Sequence, residues 1–134
     1  MLKNHHESWY QGKLIKSVKT AMPHAVVLKL ADKYLLGIPD LCIIRNNVTS
    51  WWELKVHRLA RAPKLTDFGK GVQRNTAQRL STEGICYYII FVDTPSSKRV
   101  LIVDPFDLEI EKPEEVIEGH DYDAVADFIQ WNHK

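Results

Sequence analysis

The apolar run from Cys86 to Val92 constrains the fold more than any other stretch of the chain. Its seven consecutive apolar residues fall well short of the about 20 that cross a bilayer, so the run predicts a strand buried inside a domain. A helix is predicted directly before it, over residues 72–83, because Gly84 is a favourable residue for ending a helix. A helix leading into a buried strand indicates an α/β fold, in which helices cover a sheet.

The remaining elements follow from hydrophobic periodicity and from turn residues. A first helix over residues 8–22 ends at Pro23, and Asn46-Asn47 is typical of a tight turn between two strands. The other predicted elements are strands at 24–31, 40–45, 48–56 and 98–103, one short strand within 104–120, and a helix from Asp121 to about Trp131. The order predicts a single domain of 134 residues with a small mixed sheet flanked by helices.

The charges of the chain are unevenly distributed. Residues 1–102 carry 16 Lys/Arg against 7 Asp/Glu, a balance of +9, whereas residues 103–134 carry 2 against 10, a balance of −8. The basic residues are densest from Lys55 to Arg79, which indicates a protein that binds a polyanion such as nucleic acid. A solvated loop and helix surface is the alternative explanation of the same residues.

No export signal precedes the first helix, and no stretch is long enough to span a membrane. Cys42 and Cys86 are isolated within apolar runs, which favours reduced core residues over a disulfide. We therefore expect a cytoplasmic protein, in a bacterial cell or in a host cell infected by a phage.

Two carboxylates and an ammonium group interrupt the predicted hairpin. Asp40 precedes its first strand, whereas Glu53 and Lys55 lie two residues apart in the second strand and so share one face. Paired carboxylates are suitable ligands for a hard divalent cation, which can polarise a phosphodiester and activate an attacking water. An ordinary Glu-Lys pair on the solvent-exposed face of a hairpin is the structural alternative.

The segment "GIPD", followed twelve residues later by "ELK", resembles the signature of the PD-(D/E)xK nucleases. Within that superfamily the chain is most similar to the small VRR-Nuc domains and, more loosely, to Holliday junction resolvases, because Gln73 and Gly84 have the spacing of the VRR-Nuc helix. The resemblance covers about residues 7–93 and implies a restriction-endonuclease-like αβββαβ core. The acidic C-terminal extension, about residues 104–134, has no counterpart in it.

The resemblance assigns roles to the residues of the two motifs. Asp40, Glu53 and the backbone carbonyl of Leu54 would hold Mg²⁺, for which Mn²⁺ can substitute, and Lys55 would be the catalytic lysine. Gln73 would contact the site from the second helix, with Gln78 as the alternative.

Glu7 would supply the acidic residue that the family often carries on its first helix. A first-turn glutamate stabilised by the helix dipole explains Glu7 equally well.

The resemblance implies a Mg²⁺- or Mn²⁺-dependent endonuclease that cuts DNA, with branched or junction DNA as the favoured substrate and a homodimer as the favoured assembly. Candidate DNA contacts are Lys13, Lys16, His57, Arg58, Arg61, Lys64, Lys70 and Arg74. One alternative is a non-catalytic nucleic-acid-binding protein that retains the fold. Another is an interaction module whose acidic tail covers a basic partner or its own basic groove.

Overall fold

The computed structural model describes residues 4–30, 37–69 and 71–134. Within these ranges three α-helices and six β-strands form one α/β domain. In chain order they are α1 (Glu7–Ala21), β1 (Val26–Lys29), β2 (Leu41–Arg45), β3 (Val48–His57), α2 (Gly71–Glu83), β4 (Ile85–Thr94), β5 (Ser97–Val103), β6 (Glu115–Glu118) and α3 (Tyr122–Trp131). The predicted order of elements is confirmed, although the predicted end of the first strand, at residue 31, lies outside the described residues.

The six strands form a single mixed sheet in the order β1-β2-β3-β4-β5-β6. Every neighbouring pair is antiparallel except β3 and β4, which run parallel from Ser50↔Ile85 to His57↔Val92. Parallel neighbours need a crossover connection, and α2 lies within the segment that joins β3 to β4. The tight turn predicted at Asn46-Asn47 is confirmed, because both residues have positive φ, at 56° and 62°.

Helices cover both faces of the sheet. Trp52 and Leu54 of β3 are fully buried on the face covered by α1 and α3, as the alternation of the strand predicts. The opposite face, which carries Tyr88 and Ile90 of β4, is covered in part by α2. Glu53 lies on this second face, so its strand is covered on both sides, unlike an isolated hairpin with one solvent-exposed face.

The acidic segment after Val103 belongs to the folded core. Strand β6 pairs with β5, and Asp121 caps the N-terminus of α3, where its side chain accepts a hydrogen bond of 3.0 Å from the Ala124 N–H. Val125 and Ile129 of α3 are fully buried in the same cluster as α1. The acidic residues of β6 and α3 therefore lie on elements of the folded domain, because removing these elements would expose that core.

None of the helices within the described ranges is both long and apolar enough to cross a membrane.

Candidate active site

Asp40 and Glu53 meet across β2 and β3. Leu41 pairs with Trp52 in the antiparallel register, so one further step places Asp40 opposite Glu53. The Leu54 N–H donates a hydrogen bond of 2.8 Å to Asp40 Oδ2 and thereby ties the carboxylate to β3. Because the N–H and C=O of a strand residue point to the same neighbour, the Leu54 carbonyl is directed to the side on which Asp40 lies.

The Glu53 carboxyl group is buried next to a second carboxyl group. Glu53 is 1% exposed, and burial, followed by the adjacent carboxyl group of Asp40, raises the pKa of Glu53 to about 10. Oε2 accepts a hydrogen bond from Gln73 Nε2, whereas Oε1 is buried without a hydrogen-bond partner among the described residues. A buried oxygen without a partner is uncommon in folded proteins, and a water or a metal ion is a suitable partner for it.

The turn that carries Asp40 is held against the first turns of α2. Gly37 has φ +84°, and a Cβ added to it would lie 2.7 Å from Thr76 Oγ1 and 3.2 Å from Gln73 Cα. Only glycine fits this conformation and this close approach. The two segments that supply Asp40 and Gln73 are therefore packed directly together.

Lys55 and Glu7 complete the cluster. Lys55 is half-buried on the face of β3 that carries Glu53, and no ion pair within residues 4–30, 37–69 and 71–134 involves it. Glu7, in the first turn of α1, has a raised pKa because it is partly buried, and the charge of Asp40 raises the pKa further while Lys55 and Arg58 lower it. The fold thus brings Glu7, predicted from the first helix, into the electrostatic field of the Asp40–Glu53 pair.

The two glutamines of α2 have different surroundings. Gln73 contacts Glu53, whereas Gln78 Nε2 donates a hydrogen bond of 3.2 Å to the Pro105 carbonyl, away from the carboxylates. The alternative that Gln78 replaces Gln73 therefore has no support in the geometry. Tyr88, which sequence reasoning missed, pairs with Glu53 in the register of β3 and β4, and its hydroxyl is buried without a partner in the described part of the chain.

The residues present fit a hard divalent cation with few protein ligands. No group of three or more His, Cys, Asp or Glu side chains within the described residues is arranged as a metal site. Mg²⁺, however, commonly takes one or two carboxylates and retains several waters. Asp40, the unpartnered Oε1 of Glu53 and the Leu54 carbonyl make up such a set.

Two predicted DNA contacts are engaged inside the protein. His57 is 3% exposed, and its Nε2 lies 2.7 Å from the Arg61 carbonyl oxygen, so the ring is not presented to a phosphate. The Arg58 guanidinium donates hydrogen bonds to the His5 carbonyl and to the Tyr10 hydroxyl, which ties the end of β3 to the start of α1. His57 shares a strand face with Lys55, but residues of the following loop cover it.

The other predicted cations lie nearer the surface. Arg61 forms a bidentate pair with Asp67 at 2.8 and 2.9 Å, and Lys64 Nζ lies 3.2 Å from Glu109 Oε2. Lys13 and Lys16 are exposed on α1, and Lys13 Nζ lies 4.7 Å from the centroid of the Trp9 ring. Arg74, on α2, is half-buried and donates a hydrogen bond of 2.8 Å to the Gly69 carbonyl. The prediction for Lys70 lies outside the described residues. Lys13 and Lys16 are thus the predicted cations that are exposed and form no ion pair within the described ranges.

The fold is similar to that of a solved Holliday junction resolvase. The structure of Hjc from Archaeoglobus fulgidus, a Holliday junction resolvase from an archaeal hyperthermophile, superimposes with a TM-score of 0.50 over 89% of this chain and 98% of that chain, at 12% sequence identity. No family model and no curated protein matches the chain. The predicted fold class, a restriction-endonuclease-like α/β fold with a mixed sheet flanked by helices, is confirmed.

Proposed function

We propose that the chain is a metal-dependent endonuclease that hydrolyses DNA phosphodiester bonds. The observation that carries the proposal is the Asp40–Glu53 pair, in which one buried oxygen of Glu53 is held by Gln73 and the other has no partner in the described residues. A fold that only binds DNA gains nothing from two carboxyl groups buried together, because both lose hydration and an ionised carboxylate repels phosphate.

Each residue of the cluster has a role in this reaction. Asp40, Glu53 and the Leu54 carbonyl would hold Mg²⁺ or Mn²⁺, which supplies Lewis-acid activation of the phosphodiester and of the attacking water. Lys55 lies on the face of Glu53 and can orient the attacking water or a phosphate oxygen.

Two further residues act around the Asp40–Glu53 pair. Gln73 fixes the orientation of the Glu53 carboxyl group by its hydrogen bond to Oε2. Glu7 adds negative charge on the side of α1, which strengthens the attraction for a cation.

The substrate that we propose is branched DNA, with the four-way junction as the first case. The support is the similarity of the fold to that of a Holliday junction resolvase. A four-way junction needs two symmetric cuts, which a homodimer with two identical sites would provide. This proposal includes a VRR-Nuc-like activity in DNA recombination and repair, inside a bacterial cell or a phage-infected cell.

Cleavage of a small substrate panel tests the proposal. A four-way junction, a flap, a duplex and a single strand are incubated with Mg²⁺, Mn²⁺ or EDTA, using the wild-type chain and Glu53→Gln. We expect cutting that needs the metal, prefers the junction and falls at least about a hundredfold in the variant. Glu114→Gln, which changes an exposed carboxylate far from Asp40 in sequence, is the matched control and should cut normally.

Binding to the junction without cutting under any metal would contradict the proposal. That result would instead favour a non-catalytic nucleic-acid-binding protein with the same fold. A junction preference that disappears while duplex cutting persists would retain the nuclease and reject the branched substrate.

A further inference from the structure

Strand β6 leaves one edge of the sheet open. Among the described residues β6 pairs with β5 alone, and Val116 on β6 is 44% exposed. The Gly119 N–H continues the register of the two strands with a hydrogen bond of 2.7 Å to the Lys98 carbonyl. Because such bonds alternate along an antiparallel strand, the N–H and C=O groups of Val116 and Glu118 point away from β5. These groups are available for pairing with a further strand.

A groove lies beside this edge, on the face of the sheet that α3 covers. Ile117, which is nearly buried, lines the groove from β6. One side of α3, with the spacing i, i+3, i+4 and i+7, lines it from the helix, through Ala124, Asp127, Phe128 and Trp131. The groove has a volume of about 420 Å³, and Trp131 is 65% exposed. A strand added to β6 would direct every second side chain to this face and so into the groove.

The edge and the groove carry exposed carboxylates. Glu115 and Asp127 line the groove, and Glu118 lies at the end of β6. None of the three forms an ion pair with a described residue, although Arg99 of β5 lies opposite Glu118 in the register. The surrounding residues 103–134 carry 2 Lys/Arg against 10 Asp/Glu. The surface therefore attracts a basic partner and repels nucleic acid.

A second copy of the chain is an unsuitable occupant of this edge. If two β6 strands paired antiparallel about the centre of the strand, Glu115 of one copy would lie opposite Glu118 of the other. Like charges directly opposite each other destabilise a strand pair. Charged side chains on an edge strand commonly prevent self-association in this way.

We propose that the β6 edge and the groove beside it bind an extended basic peptide segment of a partner protein, which adds a strand to the sheet. In this mode of recognition the main chain supplies affinity and alternate side chains supply specificity. The order Glu-Val-Ile-Glu along β6 predicts the complementary order basic, apolar, apolar, basic in the partner. The apolar side chain opposite Ile117 packs beside Phe128 and Trp131 in the groove. This interaction goes beyond the proposed nuclease activity and does not depend on it.

Fluorescence anisotropy with a synthetic peptide, in the absence of DNA and of metal, tests the inference. The probe is a fluorescein-labelled, amidated peptide with Lys-Ile-Val-Lys at its centre, between Gly-Ser flanks. We expect wild type to bind it with a Kd below about 1 mM at physiological salt. A peptide with the order Ile-Lys-Lys-Val should bind at least about tenfold more weakly, because its charge is the same but each lysine faces an apolar residue.

Methylated peptide backbones locate the probe on the strand edge. In the antiparallel direction the peptide valine lies opposite Val116 and exchanges hydrogen bonds with it, so N-methylation of that valine should lower affinity at least about tenfold. The peptide isoleucine lies opposite Ile117, and its N–H points away from β6. N-methylation of the isoleucine should therefore leave affinity unchanged.

Charge-reversal variants test the same surface on the protein. Glu118→Lys should lower affinity for the probe at least about tenfold, because a lysine of the peptide would then face a lysine. Glu83→Lys is the matched control, since it changes the net charge equally at the exposed end of α2, a helix on the opposite face of the sheet, and should bind as wild type does. Trp131→Ala should also weaken binding, because it removes part of the groove. Urea unfolding of each variant verifies that the fold is retained.

Three results would overturn the inference: no binding of the probe at about 1 mM, equal binding of both methylated peptides, or equal losses in Glu118→Lys and Glu83→Lys. Self-association of wild type that Glu118→Lys alters, measured by sedimentation, would assign the edge to a second copy and overturn it as well. Because the assay contains neither DNA nor metal, failure of the proposed nuclease would leave the peptide result unchanged, and failure to bind the peptide would leave the nuclease untouched.

Discussion

Replacing Glu53 by Gln should change how the stability of the metal-free protein depends on pH. In the folded protein burial, together with Asp40, raises the pKa of Glu53 from 4.5 to about 10. The folded state therefore keeps a proton at pH values where the unfolded chain has released it, so rising pH favours unfolding. Glutamine has nearly the same shape but does not titrate, and its amide can still contact Gln73.

The size of the effect follows from the buried position. Each pH unit between the unfolded pKa and the folded pKa lowers the free energy of unfolding by about 1.4 kcal/mol. Between pH 4.5 and pH 7 the free energy of unfolding of wild type should fall by about 3 kcal/mol, whereas that of Glu53→Gln should not show this fall. Solvent does not screen this effect appreciably, because Glu53 is only 1% exposed. The raised pKa of Glu7 acts in the same direction in both proteins, so their difference isolates Glu53.

Urea unfolding in EDTA at several pH values from 4.5 to 7 measures this difference. The curves of wild type and Glu53→Gln should diverge steadily, whereas the exposed control Glu114→Gln should follow wild type. Adding Mg²⁺ or Mn²⁺ at pH 7 should stabilise wild type, because a cation replaces the proton on Glu53, and should leave Glu53→Gln unchanged. Parallel curves for wild type and Glu53→Gln would refute the account of a buried, protonated metal ligand.

Four further predictions concern other parts of the structure. Lys55→Ala should lower turnover on junction DNA at least about a hundredfold with unchanged affinity, and an equal loss of affinity would contradict a catalytic role. Gly37→Ala should lower the free energy of unfolding by at least about 1 kcal/mol, since its Cβ would lie 2.7 Å from Thr76 Oγ1 at φ +84°. Gly12→Ala should raise the free energy of unfolding by about 0.5 to 1 kcal/mol, because Gly12 lies in α1 and nothing lies within 4 Å of the new Cβ. Urea unfolding of the two glycine variants beside wild type measures both changes. Arg58→Ala should lower the urea midpoint and leave the dependence of log affinity on log salt unchanged, whereas a slope reduced by about one would identify a phosphate contact.

The elements of the fold were predictable because each has a strong local signal. The apolar run of β4, the Asn46-Asn47 turn and the Asp121 cap are decided by residues close together in sequence. The approach of Asp40 to Glu53 was also predictable, because a tight hairpin turn sets the register of its two strands.

The partners of single side chains were not predictable in the same way. Arg58 bonds to groups 48 and 53 residues away, and nothing in the basic stretch distinguishes it from an exposed cation. Strand alternation places His57 on the face of Lys55 but does not reveal which segment covers that face. Tyr88 was missed for a related reason, since its pairing with Glu53 depends on a parallel register that a crossover, not a turn, determines.

The contribution of the acidic segment was hidden by its composition. Residues 104–120 have many carboxylates and no strong periodicity, yet β6 within them completes the sheet edge. Pairing with β5 compensates for the weak local preference, because tertiary contacts override it. The amphipathic pattern of α3 indicated a helix, whereas its packing against α1 is a long-range contact that no local pattern specifies.

The packing of α3 against α1 has a consequence for the order of folding. These helices are the first and last of the described elements, and the face of the sheet between them stays open until α3 docks. Contacts of such sequence separation, like the parallel pairing of β3 with β4, form slowly because a long loop must close first. The core that α1 and α3 enclose behind the β2–β3 hairpin is therefore completed late in folding, and a chain emerging from the ribosome should gain its full stability only after α3 has been synthesised.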